Sequence, residues 1–122
     1  MKTILYIEDE PDYIEIAKDY LQAYNYEIIP ASDGEEGLKK ALELKPDLIL
    51  LDIFLPKIRG FELCERLKQN DATKDIPILV ISASGVEYLE QQCKNVGASD
   101  CIRKPYKAEE LIFKTRLLLK DV

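Results

Sequence analysis

Residues 46–56 read Pro-Asp-Leu-Ile-Leu-Leu-Asp-Ile-Phe-Leu-Pro, and this stretch decides the fold. The segment Leu48–Leu51 is apolar at every position, which predicts a strand buried on both faces, as in a parallel sheet. Asp52 follows this strand directly, and a loop ending at Pro56 comes next. Because open α/β sheets bind ligands at the carboxyl ends of their strands, Asp52 is a candidate functional residue.

The rest of the chain alternates between predicted strands and helices. Strands are expected at about 3–7, 26–31, 48–51, 76–81 and 98–102, and helices at about 11–25, 33–44, 60–70, 86–96 and 108–120. This alternation predicts an α/β fold with a doubly wound parallel sheet, right-handed crossovers and helices on both faces. Either Ser32 or Asp33 is expected to cap the second helix.

The first helix has a clear start and a clear apolar face. Pro11 suits the first helical position, where a missing N–H costs little. Ile14, Ala17, Leu21 and Tyr24 recur at helical spacing, so all four are expected to face the core.

The polarity of the strands predicts their order in the sheet. The first, third and fourth strands are apolar almost throughout, which places them in the centre. The second strand contains Pro30, which cannot donate a ladder hydrogen bond, and the fifth strand is more polar, so both belong at edges. The simplest arrangement is the flavodoxin-like order 2-1-3-4-5.

Length and charge limit the possible functions. The 122 residues fit one domain spanning 1–122, with no output domain. Lys and Arg number 17 against 23 Asp and Glu, and the net charge of −6 argues against a nucleic-acid partner. No apolar run approaches the roughly 20 residues of a membrane span, and no signal peptide precedes the first strand. We therefore expect a cytoplasmic protein with no membrane partner.

The chain contains three cysteines and no histidine. Cys64, Cys93 and Cys101 form no CxxC pair and are expected to be reduced, buried thiols. The absence of histidine excludes Ser-His-Asp and Cys-His catalysis, and also zinc bound by histidine. Any chemistry must therefore use carboxylates, hydroxyls and lysines.

Polar residues follow four of the predicted strands. Glu8 and Asp9 follow the first, Asp52 the third, Ser82 ends the fourth, and Lys104 follows the fifth. Two unit charges about 4 Å apart repel by about 4 kcal/mol at an effective dielectric constant near 20, so the acids call for a cation. Oxygen ligands alone indicate Mg²⁺ or Mn²⁺. A phosphoryl group docked between the metal, Ser82 and Lys104 would lie beside Asp52, which is therefore a candidate nucleophile.

At this point the chain resembles the receiver domain of two-component response regulators, over its whole length. The motifs that carry the resemblance are Glu8-Asp9, Asp52, Ser82-Ala83 and Lys104-Pro105, each in register with a predicted strand end. The resemblance implies a stand-alone signalling switch that is not a turnover enzyme. Asp52 would accept a phosphoryl group from a sensor histidine kinase or a histidine phosphotransfer protein. The output would be docking to a downstream protein target or onward relay of the phosphoryl group.

The resemblance also implies roles for individual residues. The magnesium ligands would be Asp9, Asp52, the backbone carbonyl of Phe54 and, through a water molecule, Glu8. Lys104 would pair first with Asp52 and then with the phosphoryl oxygens, and the Ser82 hydroxyl would donate to the phosphoryl group. The Lys104–Pro105 peptide would be cis.

Two positions depart from the common pattern of the family. Cys101 occupies a position that is commonly an aromatic switch residue, coupled to Ser82. A thiol is smaller than a ring, so this coupling is expected to be weak. Phe54 occupies a position that is often polar and near the attacking water. Because a phenyl ring cannot orient water, we expect slow hydrolysis of the acyl phosphate.

Two alternatives come from other functional classes. A degenerate receiver would act as an interaction module without phosphorylation, although the intact acids and Lys104 argue against it. A Mg²⁺-dependent phosphohydrolase with an aspartyl-phosphate intermediate would generally carry a second acid two residues after its nucleophile, where this chain has Phe54. The acids Glu8, Asp9 and Glu10 could also merely complement the dipole of the first helix, and Asp52 could be an Asx-turn residue.

Overall fold

The computed structural model describes residues 1–83 and 85–121, apart from the side chain of Val86. The strands are β1 (Lys2–Ile7), β2 (Tyr26–Ala31), β3 (Leu48–Asp52), β4 (Ile78–Ser82) and β5 (Asp100–Arg103). The helices are α1 (Pro11–Leu21), α2 (Gly34–Leu44), α3 (Gly60–Gln69), α4 (Val86–Val96) and α5 (Ala108–Leu118). A 3₁₀ turn at Gln22–Tyr24 follows α1.

The strands form one parallel sheet in the order β2-β1-β3-β4-β5. This confirms the predicted flavodoxin-like order and the edge position of the strand that contains Pro30. The order reverses between β1 and β3, which are neighbours in the sheet. The register places Ile7 opposite Leu51, so the residues that follow β1 lie beside Asp52 at the end of β3.

The core has two layers because the side chains of β3 alternate between the faces of the sheet. Ile49 and Leu51 pack in the layer that contains buried residues of α2, α3 and α4. Leu48 and Leu50 pack in the layer that contains buried residues of α1 and α5. Every residue of β3 is buried, as expected for a central parallel strand. β3 therefore holds Asp52 on a rigid support.

The start of α2 follows from the capping residue. Asp33 is the N-cap, and its Oδ1 accepts a hydrogen bond of 2.8 Å from the backbone N–H of Glu36. Ser32, the other candidate, instead donates from its backbone N–H to the Glu36 carboxylate. The bond to Asp33 satisfies a backbone N–H that the first turn of a helix leaves without a partner, and the bond from Ser32 ties the preceding residue to the same turn.

The end of the first helix differs from the prediction, and the expected inward position of Tyr24 is wrong. α1 ends at Leu21, and Asn25 takes a left-handed conformation with φ 61° that closes the 3₁₀ turn. The tighter turn rotates Tyr24 away from the core, so it is 37% exposed. Its ring stacks on Tyr26 and lies under the guanidinium of Arg116.

None of the described helices has the length and apolar character needed to cross a membrane.

Candidate functional site

Parallel topology brings the predicted site residues to one edge of the sheet. Glu8 follows β1, Asp52 ends β3, and Lys104 follows β5. The backbone N–H of Lys104 donates to the Ser82 carbonyl at 2.8 Å, which anchors the lysine at the end of β4. Residues that lie far apart in the chain therefore surround one point, as the sequence predicted.

The ammonium group of Lys104 bridges two buried acids. Its Nζ lies 2.6 Å from Glu8 Oε1 and 3.1 Å from Asp52 Oδ2. The side chains of the lysine, the glutamate and the aspartate are 8%, 0% and 5% exposed. The expected contact between the lysine and Asp52 is present, but the shorter contact is to Glu8. A third acid, Glu10, lies 3.9 Å away at the rim.

Burial and neighbouring charges shift the pKa values of Glu8 and Lys104. Burial raises the pKa of Glu8 to about 7, even though the hydrogen bond from Lys104 opposes that shift. For Lys104, burial lowers the pKa, but the hydrogen bond to Glu8 and the charge of Asp52 outweigh it, so the net pKa is raised. The lysine therefore stays charged at neutral pH, and the site holds a fixed positive charge among its acids.

The Asp52 carboxylate is held by both of its oxygens. Oδ2 faces Lys104, and Oδ1 accepts a hydrogen bond of 3.1 Å from the backbone N–H of Phe54. That bond is an Asx-turn contact, so Asp52 organises its own loop as well as facing the cavity. Gly60 closes the loop from the other side, where its N–H donates to the Ile53 carbonyl at 2.9 Å.

The site opens to solvent through a cavity of about 340 Å³. The residues that line it are Asp9, Glu10, Tyr13, Asp52, Phe54, Ala83, Lys104 and Pro105. Asp9 and Glu10 lie exposed at its mouth, and the Phe54 side chain is 60% exposed. The small side chain of Ala83 leaves one wall open. The cavity therefore gives a dissolved group access to the Asp52 carboxylate.

The donor atoms around the cavity suit a hard divalent cation. Among the described residues, carboxylate oxygens of Glu8, Asp9 and Glu10 all lie within 4.8 Å of one another. With Asp52 the site has four carboxyl groups, and the Lys104 ammonium lies within 4 Å of three of them, Glu8, Glu10 and Asp52. Among the described residues at this site, the acids therefore outnumber the ammonium groups that could neutralise them. Hard oxygen donors in excess of local positive charge are what Mg²⁺ prefers. The sequence did not single out Glu10 as a member of this group.

The other two predicted site residues, Ser82 and Cys101, do not line this cavity. Ser82 is fully buried at the end of β4. Cys101 lies on β5 opposite Val80 and lines a separate cavity of about 190 Å³, together with Cys93. The thiols of Cys64 and Cys93 are buried, as predicted, whereas Cys101 is half-buried.

Sequence reasoning missed Tyr13. Its ring centroid lies 4.0 Å from Lys104 Nζ, and its ring also packs against Tyr106. The one signal in the sequence is an aromatic residue in the first turn of a helix that follows an acidic cluster, and that signal is weak. The peptide between Lys104 and Pro105 is cis, as the resemblance implied.

Comparison with known proteins places this geometry in context. Residues 4–116 match the family model described as response regulator receiver domain. The chain is 38% identical over 120 residues to the DNA-binding dual master transcriptional regulator RpaA of Synechocystis, covering 98% of this chain and 50% of RpaA. It is 38% identical over 119 residues to the alkaline phosphatase synthesis transcriptional regulatory protein PhoP of Bacillus subtilis, covering 98% and 49%. The chain thus spans about half the length of these curated relatives.

Solved structures of other proteins have a similar fold. The chemotaxis response regulator CheY4 of Vibrio cholerae superposes with a TM-score of 0.89 at 29% identity, covering 97% of this chain and 98% of CheY4. The receiver domain of the sensor histidine kinase PA1611 of Pseudomonas aeruginosa, solved with a magnesium ion coordinated in its active site cleft, superposes with a TM-score of 0.88. The two sequences are 24% identical, and the superposition covers 98% of each chain, so this similarity is one of fold.

Proposed function

Because the chain belongs to the response regulator receiver domain family, we propose that Asp52 accepts a phosphoryl group from a phosphohistidine on a partner protein. The observation that carries the proposal is the Asp52 carboxylate itself. It is held by Lys104 and by the N–H of Phe54, and it lies at the base of an open acidic cavity. These 122 residues contain no histidine, so the proposed donor histidine lies outside them, on a sensor histidine kinase or a histidine phosphotransfer protein.

The transfer step is a displacement at phosphorus. An Asp52 carboxylate oxygen forms a P–O bond as the P–N bond of the phosphohistidine breaks. The imidazole of the partner leaves with the bonding electron pair and takes a proton from water, so it departs neutral. Lys104 already lies 3.1 Å from the carboxylate, and its ammonium can turn to the phosphoryl oxygens as they arrive.

Receiver domains bind Mg²⁺ in this site, and the residues here fit that ion. We propose that the carboxylates of Asp9 and Asp52 and the Phe54 carbonyl bind it directly, and that Glu8 binds it through a water molecule. When bound, Mg²⁺ supplies positive charge that offsets the phosphoryl oxygens. Mn²⁺ prefers the same oxygen donors and could replace it.

Two further residues are proposed to respond to the phosphoryl group. The Ser82 hydroxyl donates to a phosphoryl oxygen, drawing the end of β4 toward Asp52. Cys101 takes the place of the switch residue on β5, and its small side chain limits how strongly that strand follows the movement of Ser82. Phosphorylation thereby biases an equilibrium between two conformers of the α4–β5–α5 side of the domain.

The proposed output is docking of this receiver to another protein, or onward relay of its phosphoryl group, in the cytoplasm. The excess of acidic residues, with a net charge of −6, disfavours direct contact of this domain with nucleic acid. The protein would act as a switch that promotes its own phosphorylation and dephosphorylation, and it would not turn over an external substrate.

Intact-mass spectrometry after incubation with Mg²⁺ and acetyl phosphate tests the proposal. We expect the mass of one phosphoryl group to be gained by the wild type, and also by Asp71→Asn, whose carboxylate is 96% exposed on the surface. Asp52→Asn and wild type in excess EDTA should gain nothing. No gain by the wild type would favour the degenerate receiver, and a gain that persists in Asp52→Asn would defeat the assignment of the acceptor.

A second assay separates the switch from the phosphohydrolase alternative. A phosphohydrolase would release inorganic phosphate from p-nitrophenyl phosphate over many turnovers. The proposed switch should release none beyond the hydrolysis of its own acyl phosphate, because Phe54 provides no second acid.

A further inference from the structure

The ammonium of Lys104 makes one contact that phosphoryl transfer does not explain. Its nitrogen lies 4.0 Å from the centroid of the Tyr13 ring. Tyr13 is in the first turn of α1 and lines the acidic cavity. The ring lines the same cavity as Asp52, one of the two acids that hold the lysine, although it belongs to a different element of the fold.

This contact limits where the ammonium can lie. A lysine side chain is a flexible four-carbon stem that ends in a compact charge, so it has many rotamers to lose. Glu8 and Asp52 attract that charge from the end of the sheet, while Glu10 lies 3.9 Å away toward solvent. A cation over the face of an aromatic ring is attracted by the ring quadrupole, more strongly where water is excluded. The side chain of Lys104 is only 8% exposed, so the contact is of this shielded kind.

The Tyr13 ring is itself held in place. Its centroid lies 5.9 Å from the centroid of Tyr106, which follows Lys104-Pro105 directly in the chain. Tyr106 in turn meets the edge of Tyr20, on the next turns of α1, at 6.4 Å. The backbone N–H of Tyr13 donates to the Glu10 carbonyl at 3.1 Å. The position of the Tyr13 ring is therefore fixed both by α1 and by packing against Tyr106 in the loop that carries the lysine.

We propose that Tyr13 is a positioning residue for Lys104. Its ring keeps the ammonium beside Asp52 and away from the acid at the rim, so an incoming phosphoryl group meets a charge that is already in place. Tyr13 touches none of the reacting atoms and acts only through the lysine. This role rests on the proposed function, because it affects a rate only if Asp52 accepts a phosphoryl group.

A spectroscopic measurement tests the contact. Protons held over the face of an aromatic ring resonate upfield, so the Lys104 ε-methylene should be shifted upfield in the wild type, with ¹³C-labelled lysine used for detection. Tyr13→Phe keeps the ring and should keep the shift, whereas Tyr13→Leu should lose it. Tyr20→Leu is the matched control. It removes another ring that packs on Tyr106 without touching the lysine, and it should keep the shift.

A kinetic measurement tests the role. With acetyl phosphate at saturating Mg²⁺, Tyr13→Leu should lower the phosphorylation rate constant about fivefold. Tyr13→Phe should stay within about twofold of the wild type, because the ring face is what the lysine meets. Tyr20→Leu should keep the rate even if its melting temperature falls, and half-saturation by Mg²⁺ should be the same in all four proteins. Melting curves identify any variant that fails to fold.

The outcomes separate this proposal from the proposed function. A wild type that gains no phosphoryl group overturns the proposed function, and the kinetic role of Tyr13 with it. If the wild type is phosphorylated and Tyr13→Leu matches its rate, only the positioning role is overturned. Equal losses of the phosphorylation rate in Tyr13→Leu and Tyr20→Leu would show that Tyr13 acts only through packing. An unchanged ε-methylene shift in Tyr13→Leu would show that the ring does not contact the lysine.

Discussion

Gly60 lies directly against the backbone of Asp52. A Cβ on residue 60 would lie 2.5 Å from the Asp52 carbonyl oxygen and 2.5 Å from Ile53 Cα, closer than real Cβ contacts come. Both obstacles are backbone atoms, which cannot rotate away as a side chain can. The close contact at Gly60 therefore sets the distance between the start of α3 and the backbone at the end of β3. That backbone carries the Asp52 carboxylate, so the contact also sets the position of the carboxylate.

Gly60→Ala should consequently disturb both stability and the site. We expect the free energy of unfolding to fall by about 2 kcal/mol, because the methyl group forces α3 away from the loop. The rate of phosphorylation at Asp52 should fall as well. Urea denaturation and intact-mass kinetics measure the two effects. Gly85→Ala is the control, since a Cβ there meets nothing within 4 Å, and because Gly85 is the N-cap of α4 it should cost no more than about 1 kcal/mol. Equal behaviour of the two variants would contradict the argument.

Lys104→Met should make the protein more dependent on magnesium. The substitution leaves the buried carboxylates of Glu8 and Asp52 without their cation, which should cost about 2 kcal/mol in the absence of metal. The cost stays below that of a fully buried pair because the cavity opens to water. Added MgCl₂ should raise the melting temperature more in the variant than in the wild type, with NaCl of matched ionic strength as the control.

The exposed lysine Lys94 provides a matched substitution for that experiment. Lys94→Met should show the same response to MgCl₂ as the wild type. A response of Lys104→Met no larger than that of Lys94→Met would mean that the lysine and the metal do not share the acids.

Phe54→Asn should shorten the lifetime of the acyl phosphate. The Phe54 ring lines the cavity and is 60% exposed, so an amide at the same position could hydrogen-bond a water molecule near the phosphoryl group. We expect the phosphorylated wild type to lose its phosphoryl group several-fold more slowly than the variant, as followed by intact mass after removal of the donor. Phe113→Asn, on α5 with a ring that is 56% exposed, should match the wild type. A shorter-lived wild type would reverse the expectation.

The three thiols should differ in reactivity. Burial raises the pKa of Cys64 to about 11 and that of Cys93 to about 12. Burial also raises the pKa of Cys101, which is half-buried. Because the thiolate is the reactive form, iodoacetamide at pH 8 should modify Cys101 first, and each rate should rise about tenfold per pH unit below the pKa of that thiol.

Peptide mass mapping over time measures these rates. In denaturing urea all three cysteines should react at similar rates, since burial no longer separates them. Native modification of Cys64 or Cys93 as fast as that of Cys101 would show that their helices open more readily than the packing implies.

The sequence by itself determined the fold and the meeting of Glu8, Asp52 and Lys104 at one edge of the sheet. Apolar residues throughout 48–51 predicted a doubly buried strand, and Pro30 predicted an edge. Hydrophobic periodicity and strand polarity are local properties that each segment carries whatever its neighbours do. Since parallel strands end at one edge of the sheet, the order of the strands was enough to bring Asp52 and Lys104 together.

Only the tertiary structure decided the pairings within that site. Lys104 lies closer to Glu8 than to Asp52, across a sequence separation of 96 residues, and it lies over a Tyr13 ring that no local pattern marked. The contact between Gly60 and Asp52 likewise has no signature in the chain. Such contacts depend on rotamers, on burial that removes water, and on distances of a few ångström between separate elements, none of which is a property of the sequence around any one residue.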